Sequence, residues 1–593
     1  LTQVFLDKLL AGGSAAGSPA VQQLTLGAAN SINFFGSVTL NTIDPATGKS
    51  RVDALSLSSP TISGYGNSAD TARIVTDTLI WQGSSARPGA RIAELGNAGA
   101  FAVDARQIVF GDPSGTAPVS GAKYNRLMLG FDQVSFSASQ RVTANGSGTL
   151  SVYGTGPAVT GTFDPTTYRG SGNSLTFRTP VLTADSGATF GVYSNAVSVI
   201  APDGSAPAAP GSLGGTLSLT GDTLTVASAI LLPSGRLSLT ARGGDLVLTD
   251  AARLDVAGHP IAFNDVRRQA WAGDILLTSL TGDVVTAKGA TIDLSSEGSD
   301  AGTLTVKAGG AARLAGTMTA KGGEGARSGA FDLTANTLTG DLTADFAALN
   351  QALNANGFSH SRAFTFGSGS LVVGNDAVAR NVSIAVNGGG LTLSGLIDAS
   401  GTQTGSIRLS ARDDVTLAAS AVLDAHGTKL VVDSYGKPID ASNRSSVEIT
   451  SQQGWVRLGA GATINTSSPD KIARGRVDIN ARRTSETGGD IQIDASGALT
   501  LRDIASLAVN GYWTYSPTDA NGTIVQDAAA TGVPAGAVGL AQVDAANQIF
   551  YANALANTGL RSRLAGLSAL NGAYHLRPGV EIASGAASNG KLT

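Results

Sequence analysis

One triplet in the sequence carries side chains that could perform acid–base chemistry. Arg412, Asp413 and Asp414 place two carboxylates beside a guanidinium, and paired carboxylates can divide the roles of general acid and general base. The triplet lies between Leu409 and Val415, which belong to two neighbouring predicted strands. Asp is common in such turns because its side chain bonds to nearby backbone amides. We therefore interpret the triplet as a turn and predict no catalytic residue and no enzyme activity.

Metal and cofactor chemistry finds little support in the residue types. The chain has four histidines and no cysteine. None of the histidines stands at the His-Glu-x-x-His spacing that presents two imidazoles to zinc from one helix face. The four are His259, His360, His426 and His575. The Gly-rich segments lack the phosphate-loop spacing, and we predict no metal site and no cofactor.

Aromatic residues make up only 5% of the chain, yet Tyr512, Trp513 and Tyr515 stand together. Exposed aromatic side chains often anchor interfaces, so we predict that these three residues form a binding patch at the start of a polar loop, residues 512–539. The alternative is that the loop packs its own rings against the side of the fold. The sequence leaves both interpretations open.

The elements that must position these residues follow from an internal repeat. Apolar residues two positions apart form pairs that begin eight residues apart in two separate segments. The pairs are Ile407/Leu409, Val415/Leu417, Leu423/Ala425, Ile491/Ile493, Leu499/Leu501 and Leu507/Val509. Such a pair is one face of a short strand, and the residues between pairs are of the types that favour turns. The spacing predicts an all-β fold, a parallel β-solenoid of three strands per coil of about 24 residues.

Composition agrees with a repeat array. The chain has 593 residues, 77 of them Gly, and only 14% are charged. About 25 such coils at about 4.8 Å each would give a length of roughly 120 Å. The net charge of −4 without a basic run argues against nucleic acid as a partner. No stretch of 18 or more apolar residues occurs, so no helix is predicted to span a bilayer.

The chain divides into three predicted regions. Residues 1–210 form a less regular solenoid segment with long loops, and residues 211–511 form the regular β-helix. A helical insertion at 345–357 interrupts the second region, because Phe346, Leu349 and Leu353 follow helical spacing. Residues 512–593 contain the aromatic loop, a helical segment at 541–571 and a terminal strand.

The repeat resembles that of filamentous-haemagglutinin-type exoproteins. The resemblance is carried by Gly390-LTLSGLIDASG, by Gly405-SIRLS with LDAHG, and by Gly489-DIQIDASG. The insertion from Phe346 and the segment His575-LRPGVEI resemble one large subgroup of these proteins. The resemblance implies a right-handed parallel β-helix with short helical insertions. It also implies export by two-partner secretion through an outer-membrane β-barrel transporter.

Function follows from the resemblance as an expectation. We expect a structural or adhesive rod segment of a large secreted or cell-surface bacterial exoprotein, serving adhesion, biofilm formation or intercellular contact. Its expected partners are host or bacterial surface glycans or proteins, and self-association is a further expectation. The chain begins at Leu1, and we expect an internal segment of a longer polypeptide. The alternatives are a β-helical polysaccharide lyase or hydrolase, and a self-assembling surface filament or coat subunit.

Overall fold

The computed structural model describes residues 2–11, 21–83, 99–112, 123–157, 159, 163–208, 211–374, 376–519 and 521–583. These residues form two compact units. The first comprises Leu1–Ala335 with Asn356–Phe358, and the second comprises Asn336–Ala355 with Ser359–Thr593. The predicted boundary near residue 210 falls inside the first unit, and residues 209 and 210 lie outside the described residues.

Among its described residues the first unit consists mainly of strands, with one helix, α1 (Gln3–Leu10). Its last strand extends two residues beyond Ala335. The strands are β1 (Gln23–Gly27), β2 (Ile32–Phe35), β3 (Val38–Asn41), β4 (Ala54–Ser58), β5 (Thr61–Tyr65), β6 (Thr71–Trp81), β7 (Ala100–Phe110), β8 (Tyr124–Leu129), β9 (Gln133–Ala144), β10 (Gly148–Tyr153), β11 (Ser174–Arg178), β12 (Val181–Ala184), β13 (Thr189–Tyr193), β14 (Ala196–Ile200), β15 (Thr216–Gly221), β16 (Thr223–Ala227), β17 (Ala229–Leu231), β18 (Arg236–Ala241), β19 (Leu246–Leu248), β20 (Arg253–Asp255), β21 (Pro260–Phe263), β22 (Val266–Gln269), β23 (Asp274–Ser279), β24 (Val284–Thr286), β25 (Thr291–Asp293), β26 (Thr303–Leu314), β27 (Thr317–Thr319) and β28 (Ala330–Thr337).

The described residues of the second unit form mostly shorter strands and four α-helices. Its strands are β29 (Ser361–Phe366), β30 (Leu371–Val373), β31 (Ala377–Val378), β32 (Asn381–Val386), β33 (Leu391–Leu393), β34 (Leu396–Asp398), β35 (Ser406–Ala411), β36 (Val415–Leu417), β37 (Val422–Asp424), β38 (Ser446–Ser451), β39 (Val456–Leu458), β40 (Thr463–Asn465), β41 (Gly475–Arg482), β42 (Ile493–Asp494), β43 (Thr500–Arg502), β44 (Ile504–Tyr515), β45 (Ile524–Val525), β46 (Val538–Gly539) and β47 (Tyr574–Ile582). The helices are α2 (Leu342–Ala355), α3 (Leu540–Ala556), α4 (Thr558–Arg563) and α5 (Ala565–Ser568), with a 3₁₀ turn at Asp440–Asn443.

Parallel pairing organises the second unit into three ladders. Strands β29, β32, β35, β38, β41, β44 and β47 pair in that order and form the long ladder. Strands β30, β33, β36, β39 and β42 form the middle ladder. Strands β31, β34, β37, β40 and β43 form the corner ladder. Successive strands along the chain join the long, middle and corner ladders in turn, which is the pairing pattern of a solenoid-like fold. This pattern confirms the predicted all-β architecture of parallel strands.

Alternation along each strand builds the core, because successive side chains point to opposite faces. In the long ladder, buried aliphatic residues lie in register from strand to strand. They are Val382, Ile407, Val447, Val477 and Leu507. The first unit has the same stack of buried residues in register along another series of paired strands. There the buried residues are Leu55, Leu79, Ile108, Val142, Leu182, Ile230, Leu254, Ile292 and Met318.

Phenylalanine rings fill part of the first unit's core. Phe110 stacks on Phe190 with ring centroids 5.4 Å apart, and Phe136 stacks on Phe177 at 5.9 Å. The buried guanidinium of Arg126 lies 5.6 Å from the centre of the Phe190 ring and donates to three backbone carbonyl oxygens at 2.7–2.9 Å. Burial lowers the pKa of Arg126 to about 9. The backbone oxygens therefore accept the hydrogen bonds of the buried cation, and the ring faces stabilise its charge in place of water.

Helices bind the backbone edges of several ladder strands. In the second unit, Thr343 of α2 accepts from the Val372 amide at 3.1 Å, and Asn354 of α2 donates to the Asp376 carbonyl oxygen at 2.8 Å. In the first unit, the Gln3 side chain accepts from the Asn41 amide at 2.7 Å. Unpaired strand edges promote aggregation, so these side chains close edges that would otherwise template further pairing.

The other end of the middle ladder is bound by α4 and α5, here through backbone hydrogen bonds. The Ala495 amide, directly after β42, donates to the Arg563 carbonyl oxygen at 2.7 Å, and the Gly566 amide donates to the Ala495 carbonyl oxygen at 2.9 Å. The middle ladder is therefore bound at its first strand by α2 and beyond its last strand by the segment that follows α3.

The predicted helical segments contain helices, and β44 extends into the predicted aromatic loop. Helix α2 buries Phe346, Leu349 and Leu353, the three residues on its predicted apolar face. The segment at 541–571 contains α3, α4 and α5. The loop expected to begin at residue 512 instead begins after Tyr515, because β44 continues to that residue in register with β47.

Candidate functional site

The triplet considered for acid–base chemistry lies at a turn, and each carboxylate has a partner. Asp413 forms two bonds with the guanidinium of Arg412, both at 2.9 Å, and this contact lowers the pKa of Asp413. Asp414 accepts from the Trp455 amide at 2.7 Å and also contacts the guanidinium of Arg457. Asp413 thus bonds within its own turn and Asp414 joins it to the next one, in agreement with the turn interpretation.

The recurring Asp-Ala-x-Gly corners have a shared geometry. One side-chain oxygen of Asp398, Asp424 or Asp494 accepts from the backbone amide two residues later, at 2.9, 3.1 and 3.1 Å. Asn465 makes the same bond, at 3.2 Å, in the turn between them. The side chain replaces a backbone acceptor and turns the chain into the next strand. The repeated motif is therefore a structural corner, and His426 lies in it with Nδ1 2.7 Å from Asp424 Oδ1.

Replacing one corner carboxylate tests this structural role. We expect Asp494→Ala to lower the free energy of unfolding by about 1 kcal/mol, because the Ser496 amide loses its acceptor. Asp494→Asn keeps an oxygen at the same place and should retain most of that stability. Urea unfolding followed by circular dichroism measures both variants. Equal losses in the two would contradict the corner role.

The predicted binding residues Tyr512, Trp513 and Tyr515 are all half-buried on β44. Tyr512 Oη lies 2.8 Å from the Ser451 carbonyl oxygen, and burial raises the pKa of Tyr512 to about 12. The Trp513 ring lies under the guanidinium of Arg482 at 5.6 Å. Tyr512 and Trp513 are thus attached to their own fold, and the role of the three residues in binding stays a prediction.

A groove in the second unit runs between α3 and β47. It has a volume of about 600 Å³. On the helix side the lining residues are Asp544, Asn547, Gln548, Tyr551 and Leu555, and on the strand side they are the consecutive residues Tyr574, His575, Leu576, Arg577 and Pro578. Consecutive residues of a strand point to opposite faces of its sheet. A groove lined by five consecutive residues therefore runs along the backbone edge of β47.

Apolar side chains on α3 are left uncovered, and two of them, Tyr551 and Leu555, line this groove. Tyr551 is 40% exposed and Leu555 is 51% exposed, and Ile549 on the same helix is 53% exposed. Burial raises the pKa of Tyr574 to about 12, and its phenol, like that of an unperturbed tyrosine, is neutral at physiological pH. The groove therefore combines hydrogen-bonding and apolar surface, as protein binding sites commonly do.

A buried arginine fixes the helix wall of the groove. The Arg483 guanidinium donates to Gly511 O at 2.8 Å, to Asn547 Oδ1 at 2.5 Å and to Gly579 O at 3.1 Å. It also lies 4.0 Å from the centre of the Phe550 ring. One side chain thus ties β44, β47 and α3 together.

A glycine on β44 lets α3 approach closely. A Cβ atom at Gly511 would lie 2.7 Å from Phe550 Cζ, nearer than side-chain carbons pack. Phe550 itself is fully buried. The helix therefore sits against the strand at a distance that only glycine allows.

Two other exposed aromatic residues were not singled out by the sequence. Trp271 is 66% exposed and follows the antiparallel hairpin of β21 and β22. Tyr435 is 89% exposed in a loop closed by the bridge between Val432 and Pro438. Exposed fractions depend on long-range packing, so isolated aromatic residues in the sequence gave no signal of either surface.

The described residues contain no group of three His, Cys, Asp or Glu side chains placed to hold a metal ion. None of the helices in the described part of the chain has the length and hydropathy needed to cross a membrane. Neither a protein-family model, nor a curated protein, nor a solved structure matches this chain.

Proposed function

We propose that this chain is a right-handed parallel β-helix and serves as a structural or adhesive rod segment of a large secreted or cell-surface bacterial exoprotein. The observation that carries the proposal is the continuation of parallel ladders with buried aliphatic residues in register, in each unit. In repeat arrays of this kind stability sums over nearest neighbours. Length and stiffness then come from repetition.

Adhesion requires contact surfaces along such a segment. Trp271 and Tyr435 supply exposed aromatic rings of the type that anchors contacts with glycans or proteins. Several weak contacts along one molecule would act together through multivalency. Surface glycans or proteins are the partners that we propose, with an outer-membrane transporter acting during export.

The lyase or hydrolase alternative needs carboxylates and cations that converge on a reacting bond. Asp413 and Asp414, the carboxylates that the sequence suggested for this role, bond to a turn arginine and to a neighbouring strand. We therefore favour a non-catalytic role. Release of unsaturated or reducing ends from bacterial or plant polysaccharides by the purified protein would overturn that choice.

Small-angle X-ray scattering tests the rod. A compact protein of this length should have a radius of gyration of about 25 Å. The long ladders are ten strands deep in the first unit and seven in the second, fewer than the repeat spacing predicted, so a rod that stacks them at the strand separation would be about 80 Å long. Its pair-distance distribution should be skewed towards short distances and reach zero near about 80 Å. A symmetric distribution that ends near about 65 Å, as expected of a compact protein of this length, would contradict the proposal.

The location needs a separate experiment. The gene should be expressed in its own host, and intact cells should be treated with protease. Digestion of the protein on intact cells, or its recovery from the medium, is expected. Protection until the cells are lysed would contradict a surface or secreted location.

A further inference from the structure

The long ladder of the second unit ends at a strand whose outer edge lies open to the groove. Among the described residues, β47 pairs with β44, and the groove runs along its other edge. We propose that this groove binds an extended segment of a different protein, which adds to β47 as a parallel strand with apolar residues at alternate positions.

Backbone direction supports strand addition. Backbone groups of successive residues point to opposite sides of a strand. The Ala573 carbonyl oxygen accepts from the Leu507 amide, and the Ala583 amide donates to the Tyr515 carbonyl oxygen. The backbone amides and carbonyls of the odd-numbered residues of β47 thus point towards β44. The amide and carbonyl of Leu576 consequently face the groove, where an added strand would bond to them.

The ladder itself specifies the chemistry of the occupant. Tyr574 and Leu576 lie in register with the fully buried Leu507 and Val509, yet both are only half-buried. Every earlier strand of the long ladder that follows β29 carries two apolar residues at these positions. The next strand should therefore place two apolar side chains, two positions apart, over Tyr574 and Leu576.

The helix wall and the central proline fit the same occupant. Tyr551 and Leu555 lie one helical turn apart and line the groove opposite the strand, so they can cover one face of an added segment. Pro578 has no amide to leave unpaired on the open edge. A helix beside a free strand edge is a recurring arrangement for binding extended peptides.

A labelled peptide with the sequence of residues 475–482 is the probe, because β41 occupies the same ladder with Val477 and Ile479 at the apolar positions. Fluorescence anisotropy should show saturable binding to the full chain. A control peptide with Val477→Asp and Ile479→Asp should bind at least about tenfold more weakly. Equal binding of the two peptides would overturn the proposal.

Protein variants locate the binding. Leu576→Pro removes the outward amide, and Tyr551→Ser removes groove surface; each should weaken peptide binding by about tenfold. Ile549→Ser, on the same helix but outside the groove lining, should change binding by less than about twofold. Should Leu576→Pro disturb folding, Tyr551→Ser and the loss of amide exchange at residues 574–582 upon peptide binding still decide the matter.

Other occupants give different results. Displacement of the peptide by neutral oligosaccharides would identify a sugar site and overturn the proposal. Concentration-dependent self-association that Leu576→Pro abolishes would make the groove an interface between copies of this chain and would overturn it too. The proposal rests on the groove alone. Its failure would not contradict the proposed rod, and failure of the scattering test would not contradict peptide binding in the groove.

Discussion

Arg483→Ala is expected to lower the free energy of unfolding of the second unit by about 3–5 kcal/mol. The substitution leaves the carbonyl oxygens of Gly511 and Gly579 without their charged donor and removes the cation from the Phe550 ring. Hydrogen bonds to charged groups contribute about 1.5–3 kcal/mol each, and buried acceptors without a donor add a desolvation penalty. Equilibrium unfolding in urea, followed by tryptophan fluorescence, measures the loss.

The neighbouring arginine provides the matched control. Arg482 is half-buried and lies over Trp513 at 5.6 Å, a contact worth about 0.5–1 kcal/mol at an exposed site. Arg482→Ala should therefore cost less than about 1 kcal/mol. Similar losses for the two variants would show that Arg483 does not tie the three elements together.

Phe346→Ala is expected to cost about 3–5 kcal/mol and to cause aggregation. Phe346 is fully buried, with its ring centre 5.0 Å from that of Phe364, and removing a buried ring leaves a cavity. Loss of the ring also frees α2, whose Thr343 and Asn354 bind the first strands of the middle and corner ladders. Strand edges freed in this way promote association.

Two measurements separate these consequences. Urea unfolding reports the stability, and light scattering at increasing protein concentration reports the association. Gln351→Ala, at an exposed position of the same helix, should leave both unchanged. Aggregation of Phe346→Ala no faster than that of the unchanged protein would contradict an edge-protecting role for α2.

The repeat in the second unit could be predicted from the sequence because its signal is local. The pairs Ile407/Leu409 and Val415/Leu417 each lie within three residues, and both fall on strands. A two-residue period needs no knowledge of the partner strand. The hydrogen-bonded corners were also local, since Asp494 and Ser496 are two residues apart.

The groove could not be predicted, because it depends on contacts between distant parts of the chain. Arg483 reaches Asn547 and Gly579, and no local pattern pairs those residues. The sequence left open whether Tyr512 packs against the fold, and its contact with the Ser451 carbonyl oxygen, from a distant part of the sequence, could not be predicted for the same reason. The sequence therefore shows which aromatic residues stand together but not which of them face solvent.

The connection that follows each strand of the corner ladder differs from one repeat to the next. Residues 399–405, 425–445 and 466–474 fill the same place after β34, β37 and β40, yet the strands on either side keep their register. This corner has thus accepted additional chain without loss of pairing, as surface loops generally do. It is a permissive site: an epitope tag or a small foreign domain grafted between residues 433 and 436 should leave the scaffold folded, so the segment could carry displayed cargo.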